Sequence, residues 1–236
     1  MKLMLAILWK EWRVAVDTPL GYVVATAFLL ASGFFFGNNL FLIGQADMRG
    51  WFASLPLLFM FFIPAIGMRM LAEESRSGTF ELLATLPVRS FDIVAGKLLA
   101  LVAQLAALIL LTLFYPATLA LLGNLDGGQI FASYIAALLL ASAFGSICLF
   151  ASSLTKNAVV AYVIGFAMLL GFFLLAQAAP KFSGAVQHWL GVLSPVIHYQ
   201  EMLRGVMGIE DVVFMLGVVV VFAALTIFQI ERRQWR

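Results

Sequence analysis

The sequence has few groups that could carry chemistry on their own. Its 236 residues include one cysteine, Cys148, and two histidines, His188 and His198. One cysteine excludes a disulfide within the chain, and without an HExxH motif or Cys/His spacing no metal site is expected. Gly96-Lys97 is followed by leucine instead of Ser or Thr, so the chain lacks a P-loop. We therefore expect no ATP hydrolysis by this chain and no cofactor bound to it.

Charge is also scarce. Charged residues make up 11% of the chain and hydrophobic residues 64%, with a mean hydropathy of +1.05. A soluble domain has about 25% charged and about 45–50% apolar residues, so a water-soluble fold is excluded. The formal net charge is only +2 and the basic residues are dispersed, which argues against nucleic-acid binding.

What the chain does have is six long apolar runs. Each can cross a hydrocarbon core about 30 Å thick, which takes about 20 helical residues. The runs are Leu20–Ile43, Trp51–Met70, Phe91–Leu122, Ile130–Leu154, Ala158–Ala179 and Val212–Ile230. None has a charged residue in its middle third, which argues against an intramembrane protease or a proton-coupled carrier. We predict an all-α integral membrane protein with six transmembrane helices in one domain, residues 1–236.

Two features flank these runs. Residues 1–18 place Trp9 and Trp12 beside basic residues, a pattern typical of a helix that lies along the membrane interface. The third run is longer than a bilayer, so we expect its first turns, with Asp92 and Lys97, to lie in water or in the interface. Ser90 is the expected cap of that helix.

The positions of the positive charges predict the orientation, because Lys and Arg are retained on the cytoplasmic side. With the N-terminus inside, the inner segments contain Lys2, Lys10, Arg13, Arg69, Arg76, Arg89, Lys97, Lys156, Arg232, Arg233 and Arg236. The outer segments contain only Arg49, Lys181 and Arg204. Both termini are therefore predicted to be cytoplasmic.

Two connections are long enough to carry function: an inner one over residues 69–90 and an outer one over residues 180–211. In the inner one, Gly78 and Pro87 bound a short predicted helix with Glu81 in its first turn. Phe80, Leu83 and Ala84 give this helix one apolar face, suited to a groove on another protein. A solvated loop touching lipid is the alternative.

The motif EExRxGTFELLxTxP at residues 73–87, between the second and third runs, resembles the permease subunits of ABC-2-type transporters. Within that class the chain looks closest to the gliding-motility type. It is also similar to the copper-processing permeases of nitrous oxide reductase maturation. These likenesses rest on the WKEW at residues 9–12, TPLGY at 18–22, IPAIGMR at 63–69 and FASSLT at 150–155.

The resemblance implies an ABC-2, or type V exporter-like, fold and a coupling segment that fits a cleft on a separate ATPase. The implied coupling residues are Glu73, Glu74, Arg76, Gly78, Thr79, Phe80, Glu81, Leu83 and Pro87. A second cytoplasmic contact is expected at the polar turn with Ser153, Thr155 and Lys156. Two permease copies would pair with two ATPase subunits that bind ATP and Mg²⁺, in a bacterial inner membrane. An extracytoplasmic auxiliary protein is a further implied partner, and membrane lipids surround the bundle.

The resemblance also implies that the outer connection forms short re-entrant or interfacial helices. His198, Glu201 and Arg204, spaced i, i+3 and i+6, are candidates for a polar face at the exit of a transport pathway. The alternative is a solvated interfacial helix with ordinary charges. For the whole chain, the alternative function is a non-transporting membrane anchor or assembly subunit of a motility or maturation complex.

Overall fold

The computed structural model describes residues 2–43, 47–77, 89–121, 126–204 and 207–234. These residues are almost entirely helical. The α-helices are α1 Lys2–Asp17, α2 Pro19–Ile43, α3 Arg49–Gly67, α4 Arg69–Ser77, α5 Ser90–Leu110, α6 Phe114–Ala120, α7 Gly127–Leu154, α8 Ala158–Ala178, α9 Ala185–Leu193, α10 Pro195–Met202 and α11 Ile209–Gln234.

Six stretches of the described chain are long and apolar enough to cross a membrane, which confirms the six predicted spans. They are Pro19–Asn39, Arg49–Ser77, Ser90–Ala120, Gly127–Leu154, Ala158–Lys181 and Ile209–Arg232. The outer connection contains two short helices, α9 and α10. The protein is an all-α integral membrane protein.

The centre of the bundle is α7. In its most apolar stretch, 72% of the residues are buried, compared with 11% in α2 and 17% in both α8 and α11. Small residues on α7, including Gly145 and Ser146, allow α3, α5, α8 and α11 to pack closely around it. The apolar side chains that α2, α8 and α11 leave exposed are suited to contact with lipid or with another protein.

Proline residues inside two spans leave backbone carbonyls without their usual N–H partner, and tyrosines from other helices donate to these carbonyls. Pro56 in α3 has no N–H to donate to the carbonyl of Phe52 four residues earlier, and the Tyr199 hydroxyl of α10 donates to that oxygen at 2.9 Å. Likewise, the hydroxyl of Tyr134 donates to the carbonyl of Thr112, four residues before Pro116, at 3.2 Å. These bonds attach α10 to the start of α3, and α7 to the third span.

The third span is broken and differs from the sequence-based expectation at its start. A 3₁₀ turn, Leu111–Leu113, separates α5 from α6. Ser90 is the first residue of α5 and does not cap it, since Arg89 holds the N-cap position without a side-chain hydrogen bond. Lys97 does not project into water either, because its side chain is buried against α1 and α4. Oppositely charged partners on those helices make this burial possible.

The first helix has an exposed side and a side packed on α5. On the exposed side, the Arg13 guanidinium lies 5.3 Å from the ring centre of Trp9, a cation–π contact typical of interfacial helices. On the packed side, a Cβ at Gly96 would lie 3.0 Å from the Ile7 side chain, so glycine allows α1 to approach α5 closely. This close approach brings Glu11 of α1 to Lys97.

Candidate functional site

The inner connection that the sequence predicts for coupling begins with α4. This helix carries Glu73, Glu74 and Arg76, and α5 begins at Ser90. The other predicted coupling residues lie outside the described residues, namely Gly78, Thr79, Phe80, Glu81, Leu83 and Pro87. The structure therefore shows how the helices on both sides of residues 78–88 are anchored.

The start of α4 is attached to α7 by Ser152. The Ser152 oxygen accepts hydrogen bonds from the N–H groups of Leu71 at 3.1 Å and Ala72 at 3.0 Å, and its hydroxyl donates to the Met68 carbonyl at 2.8 Å. The first N–H groups of a helix have no partner within it, so Ser152 caps α4 from a neighbouring helix. Because Ser152 is buried, water cannot easily replace these bonds.

The middle of α4 is joined to α1 and α5 by a buried ammonium group. Nζ of Lys97 lies 2.7 Å from Oε1 of Glu11, 2.9 Å from Oε2 of Glu74 and 2.7 Å from the Met70 carbonyl oxygen. Nζ of Lys10 lies 2.7 Å from the other oxygen of Glu74. An ammonium has three donors, and Lys97 has three acceptors around it. We call these five residues the Lys97 cluster.

The charges of the Lys97 cluster balance. Lys97 is only 1% exposed, and its charge together with that of Lys10 matches the two carboxylates of Glu11 and Glu74. Burial by itself lowers the pKa of Lys10, but the hydrogen bond and negative charge of Glu74, helped by Glu11, outweigh it and raise the pKa overall. Removing one partner would leave an uncompensated charge, which typically costs about 3–5 kcal/mol when fully buried.

Sequence reasoning did not identify Glu11, Lys97 or Ser152 as part of this site. One signal was available: a lysine seven residues into an apolar run needs an opposite charge if the run is buried. The sequence does not say which carboxylate supplies it, because Glu11 is 86 residues away from Lys97. The contribution of Ser152 had no sequence signal beyond its place in a polar turn.

The remaining described coupling residues lie at the surface. Nε of Arg69 lies 3.2 Å from Oε1 of Glu73, an exposed i, i+4 pair of the kind that contributes little to stability. Arg76, in the last turn of α4, is also exposed. These side chains are available to a partner at the end of the helix that leads into residues 78–88.

The predicted second contact is only partly at the surface. Lys156 is exposed and Thr155 is half-buried, with the Thr155 hydroxyl oxygen accepting from the Asn157 N–H at 3.1 Å. Ser153 is buried, and its hydroxyl donates to the Phe150 carbonyl of its own helix at 2.6 Å. A partner at this turn would therefore meet Lys156 and Thr155 but not the side chain of Ser153.

A cleft of about 430 Å³ lies between α1 and the spans, beside the Lys97 cluster. Its walls are mainly apolar, with Val24, Leu108 and Leu111 among the lining residues. Charged residues of both signs belong to the same lining, namely Lys10, Arg69, Glu11, Glu73 and Glu74. The cleft combines apolar and charged surface, as does a membrane lipid.

At the opposite end of α3, the predicted outer polar face is partly formed. His198 is half-buried, Glu201 is exposed, and Arg204 is exposed in the turn after α10. Nδ1 of His198 lies 2.7 Å from Oδ1 of Asp211 on α11, a residue that sequence reasoning did not include. A Cβ at Gly208 would lie 2.8 Å from Oδ2 of Asp211, so glycine leaves room for this carboxylate.

The comparisons with known proteins give one result. A family model described as "ABC-2 family transporter protein" matches residues 5–235. No curated protein matches the chain. The matched region includes all six candidate spans, the Lys97 cluster and the outer polar face.

Proposed function

This chain belongs to the ABC-2 family of transporter proteins, and we propose from this premise that it moves a substrate across a membrane with ATP hydrolysed on a separate ATPase subunit. Family membership makes the chain a permease component of an ABC transporter. The sequence has no P-loop to cradle a triphosphate, so ATP and Mg²⁺ are assigned to the partner.

The observation that carries the coupling role is the anchoring of α4 and α5 on both sides of residues 78–88. Ser152 fixes the start of α4 to α7, and Lys97 joins α4 to α5 and α1. An ATPase that binds residues 73–87 and moves them therefore pulls on three helices of the bundle through buried polar contacts. This arrangement converts a local displacement at the partner into a movement of the spans.

A copurification experiment tests the partner and the coupling segment. The tagged chain, extracted from membranes in mild detergent, is expected to bring down a subunit with a Walker A motif, and ATP turnover should require that subunit. Phe80→Ala should weaken the association by more than about tenfold, because a buried aromatic anchor contributes about 2 kcal/mol or more to binding. Glu81→Lys should be comparably harmful, since a cation opposes the helix dipole there.

Two variants at the other end of the bundle serve as matched controls. Phe182→Ala removes an exposed aromatic and Glu210→Lys reverses an exposed charge, and neither should change the association. Wild-type association in both Phe80→Ala and Glu81→Lys, at matched membrane levels, would remove the coupling role from this segment. Copurification of a complex without any ATPase would favour the membrane anchor or assembly subunit instead.

The Lys97 cluster gives a second test of coupling. Lys97→Met leaves Glu11 and Glu74 with only Lys10, so the bundle should melt at a lower temperature and ATP turnover in the complex should no longer depend on the permease. Lys181→Met, which changes an exposed lysine, is the control. Unchanged melting and unchanged ATP turnover in Lys97→Met would contradict a role of this cluster in coupling.

Further parts of the proposal rest on sequence alone. The charge distribution supports cytoplasmic termini, and the family resemblance supports a bacterial inner membrane and two permease copies with two ATPase subunits. The subtype proposed is the gliding-motility type, with an extracytoplasmic auxiliary protein as a further partner. Size-exclusion chromatography coupled to light scattering of the purified complex would measure the copy numbers.

A further inference from the structure

The α10 end of the bundle contains a cluster of polar side chains from two helices. We propose that His198, Glu201 and Asp211 bind a divalent first-row transition-metal ion and so fasten α10 to α11. The expectation from the sequence was no metal site, because the chain lacks the spacing of known zinc motifs. The proposal does not depend on the transport function or on the ATPase.

The three residues converge from two helices. His198 and Glu201 are three residues apart on α10 and so lie on one helix face, and Asp211 is in the first turn of α11. One ligand atom of each residue lies within 4.8 Å of the others. A single ion between them can therefore be reached by small side-chain rotations, without movement of the helices.

The ring of His198 is oriented for binding through Nδ1. Its Nε2–H donates to the carbonyl of Val192, with the two atoms 3.1 Å apart, and the ring stacks on Phe214 with centroids 4.1 Å apart. Metal-binding histidines typically donate the second ring N–H to a carbonyl or carboxylate in this way. The Val192 and Phe214 contacts thus fix the ring before an ion arrives.

Nδ1 of His198 faces a carboxylate. It lies 2.7 Å from Oδ1 of Asp211, so an imidazole nitrogen of α10 and a carboxylate oxygen of α11 already meet. A divalent ion coordinated by both atoms would take the place of this direct contact and still join the two helices.

The cluster also has an excess of negative charge. Asp211 is buried, Glu201 adds a second carboxylate, and among the described residues neither forms a salt bridge with Lys or Arg. A divalent ion balances both carboxylates. One imidazole nitrogen with carboxylate oxygens suits Zn²⁺ or Mn²⁺, while Mg²⁺ and Ca²⁺ favour ligand sets made only of oxygen. Exposure of Glu201 leaves room for water as a further ligand.

The test uses the full chain in detergent micelles, purified through a tag without histidine and stripped with EDTA. Calorimetric titration with Zn²⁺ should show one ion per chain, and Co²⁺ should give visible d–d absorption bands that Zn²⁺ abolishes. Glu201→Gln and Asp211→Asn should each weaken Zn²⁺ binding by at least about tenfold, the least that loss of a supporting group costs a metal site. Zn²⁺ should also raise the melting temperature of the wild type.

Glu210→Gln and His188→Gln are the matched controls, since both change exposed side chains without removing a proposed ligand. Both should bind Zn²⁺ as the wild type does. Glu201 is exposed, so Glu201→Gln should fold normally and any loss of binding in it reports on the ligand. The proposal would be overturned if the wild type did not bind Zn²⁺ stoichiometrically. It would also be overturned if Glu201→Gln and Asp211→Asn both bound Zn²⁺ with wild-type affinity.

Discussion

Removal of the Tyr199 hydroxyl tests how the short outer helix α10 is attached to the spans. Tyr199 is 0% exposed, and its hydroxyl donates to the Phe52 carbonyl at 2.9 Å. Burial raises the pKa of Tyr199 well above its ordinary value, so the hydroxyl remains a donor at any physiological pH. Tyr199→Phe keeps the ring and deletes only this donor.

The expected cost follows from the sequence of α3. In a regular helix, the N–H of residue 56 would donate to the Phe52 carbonyl, but Pro56 has no N–H. A buried carbonyl without its partner costs about 1–3 kcal/mol, so Tyr199→Phe should lower the free energy of unfolding by about that amount. With Pro56→Ala also present, the N–H of Ala can take over, and the same tyrosine change should then cost much less.

The measurement is SDS-induced unfolding in mixed micelles, followed by tryptophan fluorescence, for wild type, both single variants and the double variant. Tyr162→Phe is the control, since Tyr162 contacts the Phe61 carbonyl at 3.4 Å in an exposed position and residue 65, an alanine, has an N–H for that carbonyl. Equal costs for Tyr199→Phe and Tyr162→Phe, or an undiminished cost in the Pro56→Ala background, would refute the reasoning.

Two further predictions concern orientation and the anchoring of α4. In intact cells, an impermeant thiol reagent should label Ser183→Cys and spare Thr85→Cys, with little background because the native Cys148 is buried; the reverse pattern would invert the topology. Ser152→Ala should lower the free energy of unfolding by about 1–3 kcal/mol, because it strips partners from two N–H groups and one carbonyl at the start of α4. Ser153→Ala, which loses only a bond within its own helix, should cost much less.

The candidate site was only partly predictable from the sequence. The motif at residues 73–87 predicts a coupling segment, of which the structure describes only residues 73–77, on α4. The Lys97 cluster was missed, because Lys97 was expected in water or in the interface and its side chain is instead buried between helices. A long apolar run suggests where a helix crosses the membrane, but it does not show which charged residue of a distant helix packs against it.

The sequence by itself determined the class of protein, the six spans and their order. These depend on local hydropathy and length, since a membrane accepts only helices that satisfy their own backbone hydrogen bonds over about 20 apolar residues. Only the tertiary structure decided which polar groups meet. The pairs Glu11–Lys97, Phe52–Tyr199 and His198–Asp211 are separated by 86, 147 and 13 residues, and each joins two helices. Their formation depends on the angles at which the helices cross and on the rotation of each helix about its axis. Hydropathy does not encode these angles, because an apolar residue scores the same whether it faces lipid or another helix.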